Sequence, residues 1–198
     1  MKARSPAPRP RRGAPKDTRE RLVRAAAAIF ERDGFDGTDS NAIARAAGYS
    51  PGTFYKHFAD KRAIFLAVYE EWVTHEWNAI GRTLEETSDA GARAEAIVAM
   101  YLEHHRRWRG FRASLRALAA KDRAVRSFYL AQRRRQLELM ASEAPSARAA
   151  DVLLLYTLER AADGLADGEA GSLGIEAAEL RALLVELVRR RLKDGSRR

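Results

Sequence analysis

Apolar residues recur every three or four positions along most of the chain, as they do on the buried face of an amphipathic helix. The first such face holds Ala26, Ile29 and Phe30, and alternating runs of β-branched residues are absent. Beyond residue 16, proline stands only at Pro51 and Pro145, so few positions interrupt a helix. The pattern therefore predicts an all-α fold.

Local signals mark the first helix and its exit. Asp17 is the expected N-cap, because Glu20 follows three residues later as in a capping box. Gly34 is able to end this helix in the left-handed conformation, and Phe35 then folds back onto the apolar face. The sequence thus predicts a helix that starts at Asp17 and ends before Gly34.

Two short helices are expected after this turn. The second helix begins at a cap formed by Thr38 or Asp39 and ends at Gly48. The third begins at Ser50, a strong N-cap, and Pro51 suits the first helical position because no amide bond is required there. Two short helices joined by a glycine-containing turn form a helix-turn-helix.

The third helix has two faces that separate by spacing. Phe54 and Phe58 are four residues apart and are expected to pack inward. The outward set is rich in hydrogen-bond donors and consists of Thr53, Lys56 and His57, with Tyr55 at the margin. A helix N-terminus suits a phosphate and a short helix fits a major groove, but a surface turn between core helices has the same spacing. Spacing alone leaves both interpretations open.

The remaining chain is predicted to continue as helices. Asp60 is the expected cap of a long fourth helix whose apolar face includes Val68 and Trp72, with Gly81 as a weak point. The stretches predicted after it are 92–108, 111–120, 123–143, 146–167 and 175–193. The glycines expected at helix boundaries are Gly34, Gly48, Gly91, Gly110 and Gly174.

The charge distribution indicates a polyanionic partner. The formal net charge is +9, and residues 1–16 hold six of the 36 basic residues, no acidic residue and four of the six prolines. This arm is expected to be disordered, either as a solvated tail or as an arm that contacts phosphates. The chain has no cysteine, which fits a reducing cytosol, and no apolar run of membrane-spanning length, so a cytoplasmic protein is expected.

Enzymatic chemistry finds little support in the sequence. The residues that invite a metal-site hypothesis are His75, His104, His105, Glu71, Glu76 and Glu103. Their spacing matches no metal-ligand motif, and neither a glycine-rich phosphate loop nor a nucleophile turn is present. No catalytic residue, metal or cofactor is therefore predicted. A metal- or small-molecule-dependent helical enzyme and a purely structural helical dimer remain the alternative functions.

Residues Thr18–Val68 resemble the tetracycline-repressor-like (TetR) family of bacterial regulators. The matching residues are dispersed over this third of the chain: Ala26, Phe30, Gly34, Phe35, Thr38, Ile43, Ala44, Ala47, Gly48, Tyr49, Ser50, Gly52, Thr53, Phe54, Tyr55, His57, Phe58, Lys61 and Phe65. The resemblance implies a three-helix DNA-binding domain at 17–63, after an arm at 1–16, and a helical ligand-sensing and dimerisation domain at 64–198. It also implies a repressor that binds an operator.

The resemblance assigns roles to single positions. The implied phosphate contacts are Thr38, Tyr55, His57 and Lys61, and the positions implied to approach base edges are Asn41, Arg45, Thr53 and Lys56. Gly52 is implied to bring the helix backbone close to DNA, and Ser50 joins the set as the cap of the helix that reads DNA. Ser40 departs from the family, which commonly has an apolar residue there, so its hydroxyl is expected either to weaken packing or to reach phosphate.

The C-terminal part offers more apolar residues than one helix pair needs. The candidates for a homodimer interface are Leu155, Leu158, Leu165, Leu180, Leu184 and Leu187, with intramolecular core as the alternative. The candidates for an effector pocket are Trp77, Met100, Tyr101, Trp108, Phe111, Phe128 and Tyr129, although aromatic residues at helical spacing more often form core. The predicted function is a ligand-released repressor that binds a palindromic operator as a dimer.

Overall fold

The computed structural model describes residues 15–141 and 148–196, which form two compact units that divide between Tyr69 and Glu70. Every regular element in these residues is a helix, which confirms the all-α prediction. The N-terminal unit contains three complete helices, which are α1 (Pro15–Asp33), α2 (Ser40–Ala46) and α3 (Pro51–His57). It also contains the first turns of α4 (Lys61–Glu86).

The start of α1 differs from the prediction. The helix includes Pro15 and Lys16, so Asp17 lies within its first turn and is not the N-cap. Proline is compatible with the first turn of a helix, where amide hydrogens have no intrahelical acceptor. The prediction that 15–16 belong to a disordered arm is therefore wrong. The rest of the predicted arm, 1–14, lies outside the described residues.

The end of α1 is built as predicted. Gly34 adopts a φ of 71°, and its amide donates to the carbonyl oxygen of Phe30 at 3.1 Å. The ring of Phe35 folds back and stacks on Phe30, with centroids 5.9 Å apart. Phe65 meets both rings edge-on at 5.1 and 5.2 Å. These three rings fix the exit of α1 against the start of α4.

Gly37 occupies the tightest point of the loop between α1 and α2. A Cβ atom at this position would lie 2.2 Å from the carbonyl oxygen of Asp33, a backbone atom that cannot swing away. Only glycine fits there. The sequence analysis gave this residue no role, because a close approach to the backbone has no signature in the pattern of apolar residues.

The second unit contains the rest of α4 and six further helices: α5 (Ala90–Arg107), α6 (Arg109–Lys121), α7 (Arg123–Ala141), α8 (Arg148–Ala166), α9 (Glu169–Ser172) and α10 (Ala177–Ser196). The five predicted stretches correspond to α5–α8 and α10, whereas α9 was not predicted. The α4 helix continues through Gly81, and Gly91 and Gly110 are the second residues of their helices. None of the described helices is both long and apolar enough to cross a membrane.

The core of the second unit lies between α5, α8 and α10. Val98 is fully buried there, and Leu158 and Leu184 belong to the same cluster. Leu155 is also buried, with 4% of its surface exposed. The prediction that Leu155, Leu158 and Leu184 form a dimer interface is therefore wrong for this structure, because their own chain already covers them.

A buried ionic cluster joins α5, α6 and α8. The carboxylate of Asp163 accepts hydrogen bonds from His105 Nδ1 at 3.0 Å, Arg112 Nε at 2.7 Å and Arg116 Nη1 at 2.5 Å. Burial alone would raise the pKa of Asp163, but the bonds from His105 and Arg112 outweigh it and hold that pKa well below its usual range. Burial lowers the pKa of His105 despite its bond to Asp163. The cluster thus fixes three helices through one ionised carboxylate.

Candidate nucleic-acid interface

The α2 helix is capped at both ends by local signals. Asp39 is its N-cap, and its Oδ1 accepts from the amide of Ala42 at 2.7 Å, so Asp39 takes the role for which Thr38 was the other candidate. Beyond its C-terminus, Gly48 adopts a φ of 80°, and the amide of Tyr49 donates back to the Ala44 carbonyl at 2.9 Å. This left-handed residue reverses the chain into α3.

The N-terminus of α3 follows the prediction. Ser50 is the N-cap, and its Oγ accepts from the amide of Thr53 at 3.3 Å and lies 3.1 Å from the Thr53 hydroxyl. Pro51 occupies the first helical position. The helix ends at His57 and not at the predicted Phe58, which turns into extended backbone with its ring buried. The helix-turn-helix is therefore fixed by its own capping residues.

The two faces of α3 separate as expected. Phe54 is fully buried, whereas Lys56 is exposed and Thr53 and His57 are half-buried. Tyr55 was expected at the margin between the two faces, but its side chain is 55% exposed and therefore belongs to the outward face. The result is a short helix with apolar rings behind and hydrogen-bonding groups in front.

The outward face of α2 adds two residues to this surface. Asn41 and Arg45 are both exposed and lie four positions apart, so they share one side of the helix. Neither side chain makes a hydrogen bond or ion pair within the described residues. Their amide and guanidinium groups are therefore available to a partner.

Gly52 lies on the first turn of α3 with open space around it. A Cβ atom there would approach only the Oγ of Ser50, at the ordinary contact distance of 3.9 Å. Its φ is not positive, so the backbone does not demand glycine either. Nothing in the described residues explains glycine at this position.

Three positions behave differently from the expectations. The ammonium of Lys61 donates to the carbonyl oxygens of Phe35 at 2.6 Å and Thr38 at 2.7 Å and lies 4.1 Å from the centroid of the Phe35 ring. The hydroxyl oxygen of Thr38 is buried with no partner in the described part of the chain. Ser40 is also buried, so its hydroxyl is not presented to a phosphate. Sequence spacing gave no signal for the bonds of Lys61, which join residues more than 20 positions apart.

The helix-turn-helix region is similar in sequence to known proteins. Residues 22–68 match the family model described as bacterial regulatory proteins, tetR family. The regulator UidR of Escherichia coli is 41% identical over 51 residues, which are 26% of this chain and 26% of UidR. The regulator YvdT of Bacillus subtilis is 32% identical over 70 residues, or 35% of this chain and 36% of YvdT.

Solved structures share the fold of this chain beyond residues 22–68. The fatty acid degradation regulator FadR from Bacillus halodurans matches with a TM-score of 0.69 at 15% identity, over 90% of this chain and 97% of FadR. The TetR-family regulator SCO4454 from Streptomyces coelicolor matches with a TM-score of 0.67 at 21% identity, over 91% and 97%. The sequence matches cover about a quarter of the length of UidR, whereas the fold is shared along most of the chain.

The second unit contains a cavity of about 160 Å³. Of the predicted pocket residues, Trp77 and Tyr101 line it. The predicted residues that do not line it are Met100, Trp108, Phe111, Phe128 and Tyr129. Phe111 is fully buried core and packs edge-on against Trp108, with centroids 5.9 Å apart. For these five, a place in an effector pocket stays a prediction. Aromatic side chains at helical spacing serve packing as readily as ligand contact.

An apolar surface lies on α8 and α10. Leu153 and Tyr156 on α8, and Leu183 and Leu187 on α10, are exposed by 42–67%. We call these four residues the α8/α10 apolar face. Of the six leucines listed above for the dimer interface, Leu187 belongs to this face, while Leu165 and Leu180 are half-buried. Exposed apolar residues at three- and four-residue spacing are typical of a helix face that packs against another protein.

Two histidines of the metal-site hypothesis each pair with one carboxylate. His104 Nδ1 lies 3.2 Å from the carboxylate of Glu76, and His105 bonds Asp163. Within the described residues, no group of three or more histidine and acidic side chains is arranged to hold a metal ion. The relatives named above are transcriptional regulators, and their family is not enzymatic.

Proposed function

We propose that this chain is a sequence-specific DNA-binding transcriptional regulator whose α3 helix enters the major groove. The observation that carries the proposal is the front of α3, where Tyr55 and Lys56 are exposed beside a glycine that the protein's own packing does not require. An uncovered backbone at Gly52 lets a phosphate or sugar approach the N-terminal amides of α3.

Within this proposal, the exposed side chains divide by chemistry. Lys56 and Arg45 donate to guanine, and Asn41 bonds adenine, while Thr53 lies on the same front. Tyr55, His57 and the capped end at Ser50 contact phosphates and fix the register without reading sequence. Thr38 and Lys61 act behind this surface: the bonds of Lys61 to the α1–α2 loop support it as a positioning residue.

A homodimer completes the proposal. One short reading helix contacts few base pairs, whereas two of them, about 34–36 Å apart, read a palindrome. The α8/α10 apolar face supports this assembly, because exposed leucine and tyrosine side chains gain by packing on a second copy. The surface to be buried is Leu153, Tyr156, Leu183 and Leu187.

A small-molecule effector is the remaining part of the proposal. The cavity in the second unit provides room for one, and an effector that binds one arrangement of the dimer better than another shifts the population toward it. We propose that binding releases the operator, as in a repressor, on the resemblance to the family alone. The residues assigned are 17–63 for DNA binding and 64–198 for sensing and dimerisation, in a cytoplasmic protein.

Selection of bound sites from random double-stranded DNA tests the function directly. We expect an inverted repeat, with binding that weakens as salt rises because lysine and arginine contacts release counterions from phosphates. The matched control is the Lys56→Ala variant, which should relax base preference at one position in each half-site. Recovery of no preferred sequence would refute the proposal and leave a structural helical dimer; a non-repeated site bound by a monomer would refute its dimeric part.

A further inference from the structure

The volume of the cavity in the second unit indicates the size of molecule that fits inside it. Its volume is about 160 Å³. An engineered protein cavity of about 150 Å³ with an apolar lining stays dry and binds benzene. The volume of the cavity therefore matches one six-membered ring with a short substituent.

The lining of the cavity is almost entirely apolar. It is formed by aliphatic side chains of α4, α5, α7, α8 and α10, together with the rings of Trp77 and Tyr101. Leu154, Leu155 and Leu158 contribute the wall from α8. An apolar wall favours an apolar ligand. A polar group of the ligand that finds no hydrogen-bond partner there loses its bonds to water, which costs free energy of binding.

The charged side chains that line the cavity already have partners. Arg191 donates through Nε to Asp151 at 2.5 Å, and this buried carboxylate has a second oxygen without a partner in the described residues. The charge of Arg191 is therefore balanced by Asp151. Arg93 donates to the carbonyl oxygens of Leu84 and Thr87 near the C-terminus of α4, where the negative end of the helix dipole offsets its charge.

Tyr101 keeps the border of the cavity uncharged. Burial, followed by the charges of Glu159 and Glu76, raises the pKa of its phenol, so the hydroxyl stays protonated at neutral pH. The acidic groups outweigh the opposing effect of Arg112 and Arg133 at this position.

We propose that this cavity binds a small uncharged molecule the size of one substituted six-membered ring. The binding follows from the volume and the lining, whereas the role of this molecule as the effector rests on the proposed regulatory function. A carboxylate or an ammonium group on the same ring would lose its hydration against a lining that is mostly apolar.

Three probes with the same ring test the inference on the purified full chain in the absence of DNA. They are toluene, benzoate and benzylammonium, which are neutral, anionic and cationic. We expect toluene to raise the unfolding temperature with increasing concentration, since it binds only the folded state. Benzoate and benzylammonium should bind at least tenfold more weakly. Equal or tighter binding of either charged probe overturns the proposal, as does the absence of saturable binding by toluene.

A pair of variants locates the site. Leu154 and Leu102 are both half-buried leucines that pack against the same core cluster, but only Leu154 lines the cavity. We expect Leu154→Phe to weaken toluene binding at least tenfold by filling the space, and Leu102→Phe to retain it. Unchanged binding by Leu154→Phe overturns the assignment. If the Leu154→Phe protein does not fold, Trp77→Phe decides: it should abolish the fluorescence response to toluene but keep the thermal shift, and a retained response overturns the assignment.

Failure of the ligand class and failure of the proposed function remain distinguishable. Selection of DNA sites uses the ligand-free protein and does not depend on the cavity. Toluene binding is measured without DNA and does not depend on α3.

Discussion

Lys61→Met separates two roles for the same side chain. Lys61 was expected to contact phosphate, yet its ammonium donates to the carbonyl oxygens of Phe35 and Thr38 at 2.6 and 2.7 Å. A hydrogen bond that involves a charged group contributes about 1.5–3 kcal/mol, and the lower end applies to this half-buried site. Methionine keeps the apolar stem but loses both bonds. We therefore expect the N-terminal unit to lose about 2–4 kcal/mol of its free energy of unfolding.

Hydrogen exchange of the α2 and α3 amides is the suitable assay for this variant. All three tryptophans lie beyond residue 69, so tryptophan fluorescence does not report directly on the N-terminal unit. Exchange of protected amides measures the local free energy of opening. The control is Lys56→Met, which removes the same charge from an exposed position and should change that free energy by no more than about 0.5 kcal/mol.

The salt dependence of DNA binding completes the test. If Lys61 positions the α1–α2 loop and makes no phosphate contact, the slope of log affinity against log salt stays that of the wild type wherever the variant is folded. A phosphate contact would lower the slope by about one unit. Unchanged amide protection together with such a smaller slope would refute the positioning role of Lys61.

Three further predictions follow from close approaches, buried charge and exposed apolar surface. Gly52→Ala should leave the thermal unfolding of the protein unchanged and weaken operator binding at least tenfold in a gel shift. Gly37→Ala should instead destabilise the N-terminal unit in thermal unfolding. Asp163→Asn leaves the buried Arg112 without its nearest carboxylate and should cost about 3–5 kcal/mol in urea unfolding followed by tryptophan fluorescence. Because the folded pKa of Asp163 is lowered, this loss is full at neutral pH and shrinks below about pH 4. Leu183→Glu with Leu187→Glu should convert the dimer to a monomer in sedimentation.

Each of these predictions has a contrary outcome. Gly52→Ala with undiminished DNA binding would mean that no partner approaches the start of α3. A constant difference between Asp163→Asn and wild type from pH 7 to pH 3 would contradict the lowered pKa. Leu130→Glu on α7 is the control for the dimer test, since Leu130 is 42% exposed but lies outside the α8/α10 apolar face; loss of the dimer in this variant would show that the effect is not specific.

The helix-turn-helix was predictable because its signals are local. Ser50, Pro51 and Gly48 each act on residues within one turn of themselves, so their order in the sequence is enough to set the start of α3 and the turn before it. The four-residue spacing of Phe54 and Phe58 then decides which side faces inward. Capping and amphipathic spacing require no knowledge of the rest of the fold.

The second unit was less predictable because its helices are apolar on more than one side. On α8, Leu153 is 67% exposed while Leu155 is 4% exposed, and nothing in the order of leucines indicates which of them meets the core. The cavity depends on residues from five helices, so aromatic spacing within one helix did not locate it. The α9 helix is only four residues long, which is too short for a periodic pattern.

The outward side chains of α2 and α3 stand apart from everything that holds those helices together. Asn41, Arg45 and Lys56 take no part in a cap, a core contact or an ion pair among the described residues. Combinatorial replacement of these three positions should consequently yield a library whose members nearly all fold. Retargeting this scaffold to new promoters is then a search over three surface side chains, with the architecture left untouched.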